Sequence, residues 1–486
     1  MTYEPSAEVV RELIAVVGER WVIRQPEQLR TYEADGLTSY RVRPGVVVLP
    51  NTTEEVAECM KVARRAGLHV VARGSGTGLS GGALPTVGCV LIVLSRMNRI
   101  LHVDLENAFA RVEPGVINLD VSKRVGPDGY YYAPDPSSQS VCSIGGNVAE
   151  NSGGAHCLKY GFTANHVLGV KMVLSDGSVV EVGGAVLDEP GYDLLGVIVG
   201  SEGLLGIVTE VTLRLLRKPE ATRTFLATFD RVTDAADAVS AIIAAGILPA
   251  AIEMMDQLAI VAAKAATGLD WPEVAAALLV DVDGTVGECN HTSTRAIELC
   301  QQARCLEIRV PKNAAERDLM WKGRKSAFAA VGRISRDYLV QDGVIPRSKI
   351  GEVLEEIAAL GVESGLRIAN VFHAGDGNLH PLVLFDGRVE GQTELAEKVS
   401  GEILRICLRH GGSITGEHGV GHDKAAYLGE MFSEDDLDTM GKLRCSFDPE
   451  NLLNPGKVFP TPRLCGDRPG LYKPHETELS GLADRG

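Results

Sequence analysis

The stretch that decides the fold is Arg73-Gly-Ser-Gly-Thr-Gly-Leu-Ser-Gly-Gly82, in which five of ten residues lack a Cβ. Loops this bare let a ligand touch the backbone: successive N–H groups form a concave nest for an anion, and glycine adopts the positive φ that turns them inward. A diphosphate is the natural guest. Gly76–Gly81 also satisfies Gly-x-Gly-x-x-Gly, but the dinucleotide fingerprint needs a helix opening from its third glycine. Here Gly82-Ala-Leu-Pro85-Thr-Val-Gly88 is turn-rich and Cys89–Leu94 reads as a strand, so a nicotinamide site is not expected. Apolar strand patterns on both sides argue against a plain linker.

Working outward, Val46-Val-Val-Leu49 reads as a buried strand, and Thr52-x-x-Glu55 is a capping box. It opens a helix with apolar Val56, Cys59, Met60 and Ala63 at i, i+3, i+4, i+7. Gly67 ends that helix and Leu68–Ala72 is the next strand, so the glycine loop sits at a strand's carboxyl end, where open α/β units bind ligands. Residues 1–40 read as a helical lead-in. A second ligand-type cluster runs through Tyr131-Tyr-Ala-Pro-Asp-Pro-Ser-Ser138, Cys142-Ser-Ile-Gly-Gly-Asn147, Asn151-Ser-Gly-Gly154 and Tyr160-Gly161. Val167–Leu174 and Val179–Val182 form a hairpin through Asp176-Gly177, and a third glycine group, Gly200-Ser-Glu-Gly203, precedes the strand Val208–Leu216. Three separated loops of this kind suit an extended cofactor. After Pro219, strands and helices mix in the manner of an α+β domain.

Composition narrows the classes. The 486 residues allow two or three domains, and 45% hydrophobic with 23% charged residues is globular. A net charge of −16 argues against nucleic acid. The longest apolar runs, such as Ala241–Ile252, are too short to span a bilayer, and the N-terminus lacks the basic and apolar regions of a signal peptide, so a cytoplasmic chain with reduced, mostly buried thiols is expected. Ten cysteines include no Cys-x-x-Cys pair, so an iron–sulfur centre would sit on another polypeptide.

Pro134-Asp-Pro-Ser-Ser, Cys142-Ser-Ile-Gly-Gly-Asn-Val-Ala-Glu-Asn, Cys157-Leu-Lys-Tyr-Gly and Gly200-Ser-Glu-Gly, with the opening loop, resemble the FAD domain of the vanillyl-alcohol-oxidase type (PCMH-type) flavoproteins. From roughly residue 30 to 462 the chain is similar to the flavin (D) subunits of bacterial glycolate oxidases, in the branch of D-lactate and D-2-hydroxyglutarate dehydrogenases. The resemblance implies an α+β fold: a PCMH-type FAD domain of two α/β subdomains (41–219), an α+β, ferredoxin-like substrate cap (220–410), a segment returning to the FAD domain (411–462) and a polar tail (463–486). It implies FAD, held non-covalently since residues 73–82 contain no histidine. Its cofactor residues become Arg73, Gly74, Ser75, Gly76, Thr77, Gly78, Ser80, Gly81, Asp135, Ser138, Gly145, Gly146, Asn147, Gly153, Gly154, Glu202, Ile207 and Asn454.

The cap carries Val371-Phe-His-Ala-Gly-Asp-Gly-Asn-Leu-His-Pro381. If Gly375–Asn378 is a four-residue turn, His373 and His380 become cross-strand partners on one face and share a divalent metal, with zinc and manganese both suited by ligand type. Ser413-Ile-Thr-Gly-Glu-His-Gly-Val-Gly421 offers a carboxylate; the resemblance assigns His373, His380 and Glu417 to the metal and His418 to catalysis. An anionic substrate wants an arginine. Trp321-Lys-Gly-Arg-Lys325 resembles the family's carboxylate-binding segment, which selects Arg324, then Lys325. The implied reaction is oxidation of a small 2-hydroxy acid, glycolate, to glyoxylate. D-lactate and D-2-hydroxyglutarate remain alternatives, as does a FAD-binding subunit inert without its partners; a zinc hydrolase would leave the glycine loops without purpose. The implied partners are an iron–sulfur subunit and a second flavin-type subunit, which would hold the chain peripherally at the inner membrane.

Overall fold

The computed structural model describes residues 4–186, 191–268, 270–460 and 484–485; the rest of the 463–486 tail lies outside the described residues. The chain divides into two compact units, one of residues 1–152, 162–217 and 417–486, the other of 153–161 and 218–416. Among the described residues no helix is long and apolar enough to cross a membrane.

In the first unit a four-stranded sheet runs in the order Val22–Ile23, Val46–Val48, Val90–Val93, Val70–Arg73. Val46–Val48 and Val70–Arg73 both pair parallel to Val90–Val93. Parallel strands are covered on both faces, which is why Val46, Val47 and Val48 are all fully buried. Helix Thr53–Arg65 connects them, its apolar stripe of Val56, Cys59, Met60 and Ala63 buried against the sheet. Its cap differs slightly from the predicted box: Thr52 Oγ1 accepts from Glu55 N at 3.2 Å, but the Glu55 carboxylate reaches back to Asn51 N (2.6 Å), one residue upstream of the cap. The late segment adds to this sheet, with Val70 N donating to Leu452 O and Asn454 N to Val70 O, both at 2.8 Å.

A second sheet, antiparallel, has the order Val179–Gly183, Val167–Val173, Ile207–Arg214, Phe109–Val112, Ile100–Asp104. Strand Ile207–Arg214 alternates buried and half-buried positions, and Val211 and Leu213 pack with Val112, Val170 and Ile144 in one core. The predicted hairpin is present, with Gly177 at φ +80° in its turn.

The second unit is built on a mostly antiparallel sheet whose spatial order includes Ala221–Phe229, Ala276–Gly284, Ala251–Asp256, Arg367–His373, Asn378–Leu379 and Gly343–Val344. Both faces are covered. On one, Phe225, Met254, Leu278 and Phe372 pack with helices Val232–Ala244 and Ile350–Ser364. On the other, Leu226, Met255, Leu279 and Val371 pack with helices Gln257–Thr267 and Ala314–Ala330. The Gly153–Gly161 segment is anchored to this unit: Lys159 Nζ and Tyr160 OH donate to Asp283, the latter at 2.7 Å.

Among the described residues eight cysteines are free thiols, seven of them buried.

Candidate functional site

In the first unit the strand Val70–Arg73 runs directly into the glycine loop. Gly76 and Gly81 take φ +69° and +76°, the left-handed region that favours glycine. At Gly74 a Cβ would lie 2.2 Å from Ser143 Oγ, so the backbone there approaches the second cluster closely. At Gly76 a Cβ would strike the Arg73 guanidinium, which packs against the loop and donates to Ala34 O at 2.7 Å. Gly74 and Ser75 line a cavity of about 510 Å³ with Ser95, Asn98, Asp120 and Ser143. That volume is in the range of small-molecule sites. Ser80 is fully buried, and its Oγ has no hydrogen-bond partner among the described residues. A glycine-rich loop, a built cavity and an orphaned buried hydroxyl fit a phosphate-bearing cofactor.

The rest of the predicted cofactor set divides. Ser138 O accepts from Val141 N and Cys142 N at 2.8 Å, and Gly146 N donates to Ser143 Oγ at 3.4 Å at the start of helix Ile144–Glu150. Gly145 is small because Pro114 packs on it, with a Cβ falling 2.6 Å from Pro114 Cβ. Asn147 is buried with its amide on Asn118 and Cys142, and Ile207 lies in the apolar core. Asp135 is half-buried beside this cluster, as are Thr77 and Gly78 in the loop. Gly153 and Gly154, predicted as cofactor residues, belong to the segment that packs with the second unit. Sequence reading missed Ser95, Asn98 and Asp120, whose available cue was the Pro114-Gly115 turn, whereas Ser143 lies in the Cys142–Asn147 stretch already read as ligand-type.

Glu202 and Asn454 hold backbone. Glu202 accepts from Val420 N and Gly421 N at 2.7 Å each. Asn454 Nδ2 donates to Gly82 O (2.9 Å) and Glu202 O (2.7 Å), and Lys457 Nζ to Leu84 O at 2.8 Å, so the far side of the glycine loop is tied to the late segment. Burial dominates the electrostatics: it raises Glu202 against its two backbone bonds, pushes Asp35 up to about 6 and brings Lys457 down to about 8.

In the second unit a row of polar side chains crosses one sheet face. Glu253 pairs with His373, and His373 with Asn378. The tight turn is therefore Ala374–Gly377 rather than Gly375–Asn378, with Gly377 at φ +81°. His380 falls diagonal to His373 instead of directly opposite. The two rings still meet edge to face with centroids 5.1 Å apart, because diagonal neighbours share a face. His373 Nδ1 lies 2.7 Å from Glu253 Oε1, and the other Glu253 oxygen is ion-paired with Arg324 on helix Ala314–Ala330. The Arg324 cation and His373 hold the Glu253 carboxyl below its ordinary range although burial pushes the other way. Arg324 Nε is buried with no hydrogen-bond partner among the described residues. Asp342, fully buried, is 3.5 Å from His380 Nε2 and accepts from Thr415 Oγ1 (2.6 Å) and Gly416 N (3.0 Å).

Lys325 is exposed, its ammonium 5.7 Å from the Trp321 ring, so the structure does not bring it to the carboxylate row. Glu417 and His418, 3.8 Å apart and half-buried, follow Gly416 in the chain and are counted with the first unit. Glu253 and Asp342 were missed. The cue for Glu253 was a charge between apolar Ile252 and Met254 in the strand Ala251–Asp256, since a charge placed there needs a partner.

Sequence comparison identifies the family of the chain that carries the glycine-lined cavity and the histidine–arginine–carboxylate row. The chain belongs to the FAD-linked oxidases: residues 44–183 match the family described as "FAD binding domain" and residues 218–458 that described as "FAD linked oxidases, C-terminal domain". Within that class it is 47% identical to glycolate oxidase subunit GlcD of Escherichia coli strain K12, covering 93% of this chain and 91% of the relative. It is 37% identical to the GlcD of Bacillus subtilis strain 168 (93% and 97%) and 32% identical to a D-lactate dehydrogenase of Anaerostipes hadrus (86% and 90%). The p-cresol methylhydroxylase crystal structure superposes with a TM-score of 0.77 at 18% identity, covering 93% of this chain and 96% of that one, which places the fold among the PCMH-type flavoproteins.

Proposed function

We propose that the chain oxidises glycolate to glyoxylate with FAD as its cofactor. The observation that carries this reading is the buried Arg324, whose guanidinium shares Glu253 with His373 and keeps one N–H without a partner among the described residues. It sits in a chain 47% identical to a protein named as a glycolate oxidase subunit. FAD, when bound, supplies the two-electron acceptor for the hydride of the α-carbon, and a divalent ion, zinc or manganese, supplies Lewis acidity at the α-hydroxyl.

Arg324 binds the substrate carboxylate through paired N–H donors, which a lysine would not reproduce. His373 and His380 hold the metal from the sheet. Glu417 is their carboxylate partner; chain continuity supports this, because Gly416 N is bonded to Asp342 beside His380 and Glu417 is the next residue. His418 takes the hydroxyl proton as general base. Lys325 stays a lesser candidate for the substrate. Arg73–Gly81, with Asp135, Ser138 and Gly145–Asn147, surround the diphosphate and flavin side of FAD; Glu202, Ile207 and Asn454 support that wall, and Gly153 and Gly154 remain cofactor candidates by resemblance.

The two glycolate oxidase relatives are named as subunits, which supports an assembly for this chain as well. We assign its reoxidation to an iron–sulfur subunit and a second flavin-type subunit, which keep it on the cytoplasmic side at the inner membrane. The absence of a Cys-x-x-Cys pair supports a cluster carried elsewhere.

The test is anaerobic titration of the purified chain with glycolate, D-lactate and D-2-hydroxyglutarate, read by flavin absorbance. Bleaching by glycolate at the lowest concentration is expected. Preferential bleaching by D-lactate reassigns the substrate, and a colourless protein that releases no FAD on denaturation overturns the proposal.

A further inference from the structure

Glu253 has no place in the reaction as written, yet it touches two of the groups the reaction needs. It lies mid-strand in Ala251–Asp256 with no exposed surface, on the face where Met255 and Val371 pack against helices. A carboxylate there requires partners for both oxygens. One goes to His373 Nδ1 at 2.7 Å across the strand pair, the other to the Arg324 guanidinium on helix Ala314–Ala330.

We infer that Glu253 is a positioning residue that serves His373 and Arg324 together, so that the affinity of the site for a divalent cation and its affinity for a carboxylate substrate depend on one side chain. This rests on the metal and substrate roles proposed above. A carboxylate at Nδ1 accepts the ring N–H there, which leaves the lone pair on Nε2 and makes that nitrogen the ligand; such partners both orient the ring and raise its basicity. The same carboxylate fixes the guanidinium plane and leaves its remaining N–H groups to a guest. The charges reinforce each other. Glu253 and Arg324 cancel, so an incoming carboxylate brings a net negative charge that a divalent ion on the neighbouring histidines offsets.

A merely structural ion pair would hold helix to sheet without affecting ligands, and two variants separate the cases. Glu253→Ala removes both contacts. Glu253→Gln keeps an acceptor for His373 but turns an amide donor toward Arg324. The experiment is calorimetric zinc titration of the chelator-treated, flavin-loaded full chain, with manganese as a second probe and flavin absorbance and melting temperature as controls on folding. Loss of such a partner typically weakens metal binding about 10–100-fold, the change expected for Glu253→Ala, with Glu253→Gln intermediate. Glu253→Gln is further expected to raise KM for glycolate more than it lowers kcat. Variants that bind zinc within about threefold of the parent, or whose zinc loss is matched by loss of bound flavin, overturn the inference. If the parent binds neither metal, the metal-site proposal falls and takes this inference with it; parent binding with unaltered variants sinks the inference alone.

Discussion

Gly74 and Ser143 offer a quantitative test of how the glycine loop is built. A methyl group at position 74 would lie 2.2 Å from Ser143 Oγ but 3.5 Å from Ser143 Cβ and 3.6 Å from Gly146 N, so the hydroxyl is the only atom that must move. Rotating it away gives up the cap on Gly146 N, at a cost of about 1 kcal/mol (roughly 0.5–2). Both residues line the cavity, so Gly74→Ala should lower stability by that amount and weaken FAD binding about 5–30-fold, the equivalent of 1–2 kcal/mol. Ser143→Ala pays the cap loss once. In Gly74→Ala/Ser143→Ala the obstructing oxygen is gone and the methyl meets only ordinary contact distances, so the glycine substitution should then cost almost nothing. Urea denaturation of the four proteins of this cycle, with fluorescence titration of FAD, measures the coupling, expected at about 1 kcal/mol. Additivity within the roughly 0.3–0.5 kcal/mol typical of independent sites would refute the reasoning.

Arg324→Met strands a buried Glu253 charge and should lower stability by about 3–5 kcal/mol, with part of the loss recovered in Arg324→Met/Glu253→Gln; a thermal melt unchanged by the single substitution contradicts the pairing. Asp35, buried and raised from 3.8 to about 6, binds its proton more tightly folded than unfolded. Its contribution is complete below about pH 4 and lost as pH rises through 6, a change of about 3 kcal/mol. Asp35→Asn should flatten the fall in urea midpoint over that window, and a wild-type midpoint that rises across it counts against the assignment. Asn454 donates to two carbonyls at a backbone φ of +43°. Asn454→Asp, which replaces the donor by an acceptor facing those carbonyls and Glu202, should therefore unfold at lower denaturant than Asn454→Ala; the reverse order in urea melts rejects this network.

Local chemistry made much of the first unit legible. The Val46–Val48 run, the Thr52 cap, Gly67 at φ +63° and the Asp176-Gly177 turn each act within a few residues, and periodicity places them. The second unit's row is different in kind. Glu253 finds His373 120 residues away, a distance at which no spacing rule operates. The histidine pair was readable as a pair, but its register turned on whether the chain reverses at Ala374 or Gly375, a one-residue choice within a glycine-rich turn. Asn151–Gly154 and Tyr160-Gly161 were readable as ligand-type stretches; that Lys159 and Tyr160 fasten to Asp283 depended on a contact some 120 residues away.

The late segment that bonds to Val70 has a consequence for biosynthesis. Among the described residues the sheet bearing the glycine loop is completed on its outer side by Leu452–Asn454, and Asn454 bolts the loop's end in place. A ribosome therefore finishes the second unit's whole sequence before the far end of the glycine loop can be fastened. From Arg217 to Lys457 lie 240 residues, about 12–48 s of elongation at roughly 5–20 residues per second. During that interval the nascent N-terminal half carries an open edge at Val70–Arg73, where chaperone occupancy or premature strand pairing would be concentrated.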